Sequence, residues 1–295
     1  MLQEFFVRHC RPNLRGGKAV ESLLRRKVLP HWKGRPLNAI ARIDCIRLLD
    51  LTVDKDGAAQ GTEVRRHLSG FLSWAANRGY IQSNPLAGAR LPELTPKSRS
   101  RVLDEKEIQA VWAAVLSLEQ PYRAYVQLLF LTAGRRTEIA NLRTSWFGIV
   151  EGEEVIDIPG AYTKTGEPHV LPITTAIRSV LDSCPVMLRG DCVFSTTQGE
   201  KPISGFSKIL TPLRERSKVD DWGFHDIRRT VATELARQGV SQEWIERVLA
   251  HKIPGVAGTY NKYSYLKEKR TALEQWGVEM DGVMLFNKFN SVIAS

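Results

Sequence analysis

The sequence predicts a mainly helical α+β protein, with an all-helical first domain and a second domain in which helices accompany a small antiparallel sheet. Apolar residues recur at helical spacing through the first 90 residues, and after residue 101 that spacing gives way to short runs typical of strands. The chain has 295 residues, 43% of them hydrophobic and 25% charged. This balance is typical of a globular protein of one or two domains and argues against general disorder.

Three apolar stripes predict the helices of the first domain. The third stripe runs to Gly79, a residue type that often ends helices. The stripes are Val20, Leu23, Leu24 and Val28, then Ile40, Ile43, Ile46 and Leu49, then Val64, Leu68, Phe71, Leu72 and Ala75.

A linker is predicted at residues 91–101, where two prolines and several cationic or hydroxyl residues interrupt the apolar period. We therefore divide the chain into a first domain at 1–90, a second domain at 102–279 and a C-terminal tail at 280–295.

The second domain is expected to begin with a helix that Asp104 caps, because Glu107 follows three residues later as in a capping box. A second helix is predicted from about Tyr122 to Thr132, and helices resume after Ser204.

Between these helical regions the period changes to that of strands. Strands are predicted at 154–159 and 169–173, on either side of a turn at 163–168. A third short strand is predicted at 192–194.

The net charge is +10, and the whole excess lies in the first third of the chain. Residues 1–100 hold 18 Lys and Arg against 8 Asp and Glu, whereas residues 101–295 hold 24 of each. A basic first domain favours a polyanionic partner such as nucleic acid. The alternative is a solvated basic face that serves solubility.

Several classes of protein are excluded by the sequence. No apolar stretch reaches the roughly 18–20 residues of a membrane span, and the N-terminus does not resemble a secretory signal. The four cysteines form no CxxC pair, which favours reduced thiols in the cytoplasm. Nucleotide, dinucleotide and zinc motifs are absent, as are the close acidic sets of two-metal nucleases. We therefore expect neither cofactor nor metal.

Two arginine-containing segments stand out in the second domain. Arg135 follows an apolar run and Gly134, so a sharp turn could aim its guanidinium inward, with Glu138 one helical turn later to hold it. His225 and Arg228 lie at i and i+3 near a predicted helix start, so both could reach one ligand. The alternatives are a structural Arg–Glu pair, and a capping histidine beside a surface cation.

Three further side chains complete the pattern. His251 follows an amphipathic helix, and Tyr260 opens a stretch with three tyrosines, for the other two of which, Tyr263 and Tyr265, we favour aromatic packing. Lys164 lies in the predicted turn between the strands, where a lysine usually faces solvent.

The combination suits a pentacoordinate phosphorane, which carries more negative charge than a phosphodiester. Guanidiniums bind its non-bridging oxygens bidentately, a phenol can attack phosphorus, and a lysine can protonate the leaving oxygen. Preorganised cations would stabilise the charge of the transition state.

The order and spacing of these segments resemble the tyrosine recombinase (phage integrase) family, particularly integrases of prophages and genomic islands. The matching segments are 132–139 for the first arginine box, Lys164 for the β-hairpin lysine, 225–230 for the HxxR box, 249–251 for the second histidine box and Tyr260 for the nucleophile. Residues 71–75 and 84–86 resemble the family's helical core-binding domain. Ala133 and Ala250 stand where the family usually has glycine, and because both are small we expect little effect.

The resemblance implies a core-binding DNA-binding domain followed by a tyrosine-recombinase catalytic domain. It implies metal-free strand exchange in which Tyr260 forms a 3′-phosphotyrosyl link, Arg135, Arg228 and His251 bind the phosphate, Lys164 protonates the 5′ oxygen and His225 assists proton transfer at the tyrosine. Glu138 would orient Arg135.

The implied partners are double-stranded core attachment sites, clamped between the two domains, and three further copies of the chain in a homotetramer. Accessory DNA-bending proteins are possible partners, and the expected location is the bacterial cytoplasm at the nucleoid. The alternatives are a type IB topoisomerase-like enzyme and a catalytically inactive DNA-binding regulator. Since the chain begins almost at the core-binding domain, it is expected to be either a fragment or a recombinase without arm-site binding.

Overall fold

The computed structural model describes residues 1–89, 91, 100–251 and 263–293, and for 283–293 the backbone alone. The predicted linker therefore lies mostly outside the described residues. The contacts within the chain divide it into two compact units, Met1–Arg99 and Ser100–Ser295.

The first unit is built of helices alone among its described residues. The N-terminal strip comprises α1 (Leu2–Phe5), a π-helical turn (Phe6–Cys10) and α2 (Arg11–Asn13). There follow α3 (Gly17–Lys27), α4 (Leu29–Trp32), a 3₁₀ turn (Leu37–Ala39), α5 (Arg42–Asp56) and α6 (Ala58–Asn77). Gly57 separates α5 from α6 with a φ of 86° that an L side chain rarely adopts.

The core of the first unit forms where α3, α5 and α6 bury their apolar faces. The stripe predicted for α6 is confirmed, because Val64, Leu68, Phe71, Leu72 and Ala75 are all buried. The stripe predicted around Asp44 is only partly confirmed. Of the predicted residues, Ile40 and Leu49 are buried, but Ile43 is 52% exposed, and the helix also buries Cys45, Leu48 and Thr52, which the stripe did not include.

The second unit begins with α7 (Glu105–Leu116), α8 (Tyr122–Thr132) and α9 (Arg136–Ala140). After a 3₁₀ turn (Thr144–Trp146) come β1 (Phe147–Val150), β2 (Glu153–Ile158), a second 3₁₀ turn (Gly160–Tyr162) and β3 (His169–Pro172). The remaining helices are α10 (Thr175–Asp182), α11 (Ser207–Ser217), α12 (Phe224–Arg237), α13 (Gln242–Val248) and α14 (Leu266–Ile293).

Helix α8 lies at the centre of the second unit. Every residue from Ala124 to Thr132 is buried, because α7, α10, α12 and α14 all pack against it. The predicted start of α7 is also confirmed: the Asp104 carboxylate accepts the Glu107 backbone N–H at 2.9 Å, and the Glu107 carboxylate accepts that of Asp104 at 3.0 Å.

The sheet is antiparallel, in the order β1-β2-β3. Ile156 pairs with Phe147 on one side, and Ile158 pairs with His169 on the other. The predicted strand at 192–194 is wrong, since Cys192 forms only an isolated bridge with Arg143, and the third strand is instead β1. The mainly helical fold class with a small antiparallel sheet is confirmed.

Helix α14 continues through the position where we predicted the C-terminal tail to begin. Its backbone is helical from Leu266 to Ile293, and Met280 is buried. In the part of the chain that the structure describes, every helix is too short or too polar to cross a lipid bilayer.

Candidate active site

Arg135 lies at a sharp junction between α8 and α9. Ala133 adopts a left-handed backbone with a φ of 50°, and a Cβ on Gly134 would lie 2.5 Å from the Ile139 side chain. The close approach therefore requires glycine at 134. The turn places Arg135 directly before α9, and its side chain is only 14% exposed.

Glu138 links Arg135 to the loop that carries Lys164. Its side chain is 1% exposed. Its Oε1 accepts a hydrogen bond from Arg135 Nη1 at 3.1 Å and another from the Lys164 backbone N–H at 3.0 Å. Burial would raise the pKa of Glu138, but the hydrogen bond from the Lys164 backbone and the Arg135 charge outweigh it and lower the pKa to about 2. Glu138 is therefore ionised at neutral pH, directly behind Arg135.

Arg228 is the fifth residue of α12. The first turn of this helix is fixed by the buried Asp226, whose carboxylate accepts the Gly223 backbone N–H at 2.9 Å. Arg228 is 3% exposed, and it donates to the Ala133 carbonyl at 2.6 Å and to the Leu249 carbonyl. Burial and the nearby Arg135 charge lower the pKa of Arg228 to about 10.

The two guanidiniums are held by adjacent carbonyls of one turn. Arg135 Nη2 donates to the Ala250 carbonyl at 3.2 Å, next to the Leu249 carbonyl that binds Arg228. The turn follows α13, and Ala250 adopts a left-handed φ of 46°. The structure thus brings together two arginines that lie 93 positions apart in the sequence.

His225 and Lys164 lie at the exposed edge of this cluster. Burial lowers the pKa of His225, and the charges of Arg229, Arg228 and Lys164 lower it further against the opposing charge of Asp226. His225 is therefore predominantly neutral at pH 7 and can accept a proton.

His251 follows the same turn and is 43% exposed in its side chain. Its Nδ1 lies 2.6 Å from the Glu246 carboxylate, and its backbone N–H donates to the Glu246 carbonyl at 3.1 Å. Nε2 is therefore the ring nitrogen directed away from this carboxylate. Tyr260 lies outside the described residues.

The two neighbouring tyrosines are described. The Tyr265 ring is 9% exposed, its hydroxyl donates to Glu243 at 2.5 Å, and the Arg247 guanidinium lies 4.2 Å from its centroid. Tyr263 is half exposed and lies 4.9 Å from the Tyr265 ring, centroid to centroid.

Sequence reasoning missed the groups that support the arginines. The acceptors are backbone carbonyls of Ala133, Leu249 and Ala250, which no side-chain pattern could reveal. Glu246 beside His251 and His169 beside Glu138 were also missed. His169 had a weak signal, since a histidine that begins a buried strand needs a polar partner.

The cluster holds several cations and few anions. Among residues 1–89, 91, 100–251 and 263–293, no group of His, Cys, Asp and Glu could hold a metal ion. A partly buried set of fixed N–H donors with one deeply buried carboxylate suits an anionic ligand such as a phosphodiester.

The comparison with protein families agrees with this chemistry. The model of the phage integrase family matches residues 101–267, more than half of the chain. The chain therefore belongs to the phage integrase family.

Individual relatives extend over more of the sequence. The chain is 28% identical over 282 residues to the prophage integrase IntZ of Escherichia coli (strain K12), which covers 92% of this chain and 67% of that protein. It spans about two thirds of the length of this and other curated integrases.

Solved structures share the fold. A lambda integrase dimer bound to a COC′ core site matches with a TM-score of 0.65 and 22% identity, covering 85% of this chain and 94% of that one. A lambda integrase tetramer bound to a Holliday junction matches with a TM-score of 0.65 and 21% identity, covering 85% and 76%.

Proposed function

We propose that this chain is a site-specific DNA recombinase that integrates or excises a mobile element. Membership of the phage integrase family supports the class of reaction. The observation that carries the proposal is the placement of Arg135 and Arg228 on adjacent carbonyls of the turn that leads into the segment bearing Tyr260.

The proposed reaction begins with attack by the Tyr260 phenolic oxygen on the scissile phosphorus. The bond to the 5′ oxygen breaks, leaving a 3′-phosphotyrosyl link and a free 5′-hydroxyl. A 5′-hydroxyl from a partner strand then attacks the same phosphorus and releases the tyrosine. The phosphodiester energy is conserved in the covalent link, so no nucleotide cofactor is needed.

The remaining side chains would share the charge and the protons. Arg135 and Arg228 would bind the non-bridging oxygens, and His251, with hydrogen on both ring nitrogens, would donate from its outward nitrogen to one of them. Lys164 would give its proton to the departing 5′ oxygen, and the neutral His225 would take the phenolic proton. Glu138 would orient Arg135 without touching the DNA.

The proposed partner is double-stranded DNA at core attachment sites, bound by a tetramer with the help of DNA-bending proteins. The cationic excess of residues 1–100 would supply phosphate contacts, so affinity should fall steeply with salt. Such a reaction places the protein at the nucleoid in the bacterial cytoplasm.

The first test is covalent capture of DNA. Wild-type protein is incubated with fragments of the host genome, denatured in detergent and recovered with its attached DNA, which is sequenced to define the site. A duplex with that site and a nick near the crossover then traps the intermediate. We expect trapping by wild type and Tyr263→Phe, and none by Tyr260→Phe.

The outcomes separate the alternatives. Binding without trapping by wild type would support an inactive regulator, and relaxation of supercoiled plasmid without recombination would support a topoisomerase. Peptide mapping that finds the adduct on Tyr263 or Tyr265 would overturn the assignment of the nucleophile.

A further inference from the structure

His169 is a buried histidine to which the proposed chemistry gives no role. It is the first residue of β3 and is 2% exposed. Its Nε2 lies 3.2 Å from the carbonyl oxygen of Val248. Because a carbonyl can only accept, Nε2 carries the hydrogen and donates it.

That hydrogen bond reaches the turn that holds both arginines. Val248 is the last residue of α13, and the carbonyls of the next two residues, Leu249 and Ala250, bind Arg228 and Arg135. A contact at Val248 therefore fixes the backbone immediately before the two carbonyls that hold the guanidiniums.

The other ring nitrogen of His169 faces the carboxylate of Glu138. His169 Nδ1 lies 3.7 Å from Glu138 Oε2, the carboxylate that holds Arg135 and the backbone of Lys164. The imidazole of His169 thus lies between the Glu138 carboxylate and the 248–250 turn.

An apolar residue would fill this space at a lower cost in desolvation. Leu171, two positions along the same strand, is such a residue and is fully buried. Burial also lowers the pKa of His169 against the pull of Glu138, and the charges of Lys269 and Arg228 act in the same direction as burial. The ring is therefore neutral when folded, with one donor, and that donor is used on Val248.

We propose that His169 is a positioning residue that orients both arginines through the backbone of the 248–250 turn. The proposal rests on the proposed function, because only a phosphodiester reaction gives the arginine geometry a consequence. His169 touches neither the DNA nor the nucleophile in this scheme.

The test compares His169→Gln with His169→Leu in the full chain. The amide nitrogen of glutamine can take the place of Nε2 and donate to Val248, whereas leucine fills the space without a donor. A role in packing alone predicts that leucine is tolerated better than glutamine, because glutamine brings a buried amide that needs partners. A positioning role predicts the reverse order for activity.

The first readout needs no DNA. We expect amide hydrogen exchange at residues 249–251 to be about tenfold faster in His169→Leu and near the wild-type rate in His169→Gln. Unchanged exchange in His169→Leu would overturn the proposal whether or not the protein cleaves DNA.

The second readout is single-turnover trapping on the nicked duplex recovered by covalent capture. We expect the leucine variant to bind that duplex with wild-type affinity and to cleave about tenfold more slowly, and the glutamine variant to recover most of the rate. Equal cleavage by both variants and wild type would refute the role of His169 while leaving the proposed function intact. Absence of trapping by wild type would refute the proposed function itself.

Discussion

Ala250 offers a prediction in which the usual effect of glycine is reversed. Its φ of 46° puts an L side chain in the left-handed region, which costs about 1–2 kcal/mol relative to the right-handed one. Glycine adopts that conformation freely, but it loses about 0.4–1 kcal/mol more than alanine through its flexible unfolded state. Ala250→Gly should therefore stabilise the second unit by about 0.5 kcal/mol.

Two matched alanines calibrate this effect. Ala133 has a similar φ of 50°, but it is fully buried, so its glycine variant also loses a methyl group worth about 0.8 kcal/mol. Ala133→Gly should thus be nearly neutral. Ala113 is exposed in the middle of α7, where alanine to glycine costs about 1 kcal/mol.

Calorimetry of the full chain measures the melting temperatures of the three glycine variants and so ranks their stabilities. Ala250→Gly and Ala113→Gly should differ by about 1.5 kcal/mol, which is roughly 3–6 °C in the melting temperature of a unit of this size. We expect the transition of the second unit to rise slightly in the first variant and fall in the second. An Ala250→Gly protein that melts as low as Ala113→Gly would refute the assignment of backbone strain to Ala250.

Three further predictions concern buried or capping groups. The pKa of Glu138 is lowered to about 2 from an ordinary value near 4.5, so its contribution to stability is present above pH 4.5 and lost as the pH falls toward 2. Urea unfolding should show wild type losing about 3 kcal/mol over that range and Glu138→Gln losing correspondingly less, and parallel curves would contradict this. Burial lowers the pKa of Lys269 to about 8 from 10.5, so the unfolded chain binds more protons between these values and stability should rise with pH across them. Lys269→Met should abolish that rise and be the more stable protein at pH 7 in the same urea assay, despite losing the 3.0 Å bond to the Val170 carbonyl. Asp104→Ala removes the cap of α7 and should cost about 1 kcal/mol in the melting transition of the second unit, whereas an unchanged transition would count against the capping box.

The sequence predicted which apolar segments are buried better than it predicted which of them pair as strands. Helix α8 was placed within its true bounds because its apolar run is buried on all sides. Strand β1 was missed because it is an edge strand with Gly148 and Ile149 exposed, so it lacks the alternation that marks a half-buried strand. The buried run at 192–194 looked more like a strand, yet it pairs only through a single bridge. The apolar content of a segment indicates whether it is buried, but it does not determine whether the segment pairs with a neighbouring strand.

In the candidate site, the functional side chains could be predicted from the sequence, but the backbone groups that hold them could not. Side chains such as Arg135, Lys164 and Arg228 could be selected from residue type and spacing, because the residue type determines the charge and the hydrogen-bond donors of a side chain. Their acceptors could not, because a carbonyl at Ala133 or Leu249 is common to every residue, and only the folded chain brings it to a guanidinium. His169 meets Val248 across 79 positions, a separation at which sequence spacing carries no signal.

The charge balance of the site connects its stability to its proposed chemistry. Carbonyl dipoles hold Arg135 and Arg228 in place without neutralising them, and Glu138 supplies one deeply buried negative charge for the pair. The lowered pKa of Arg228 expresses the cost of this excess, since burial and a like charge both oppose its protonated form. A phosphodiester entering the site would remove that cost, and the pentacoordinate transition state, with its additional charge, would remove more of it. Because the donors are already oriented by the backbone, little reorganisation is left for the reaction itself. The folded protein would then hold two close guanidiniums at a cost in stability, and the negative charge of the transition state would offset that cost.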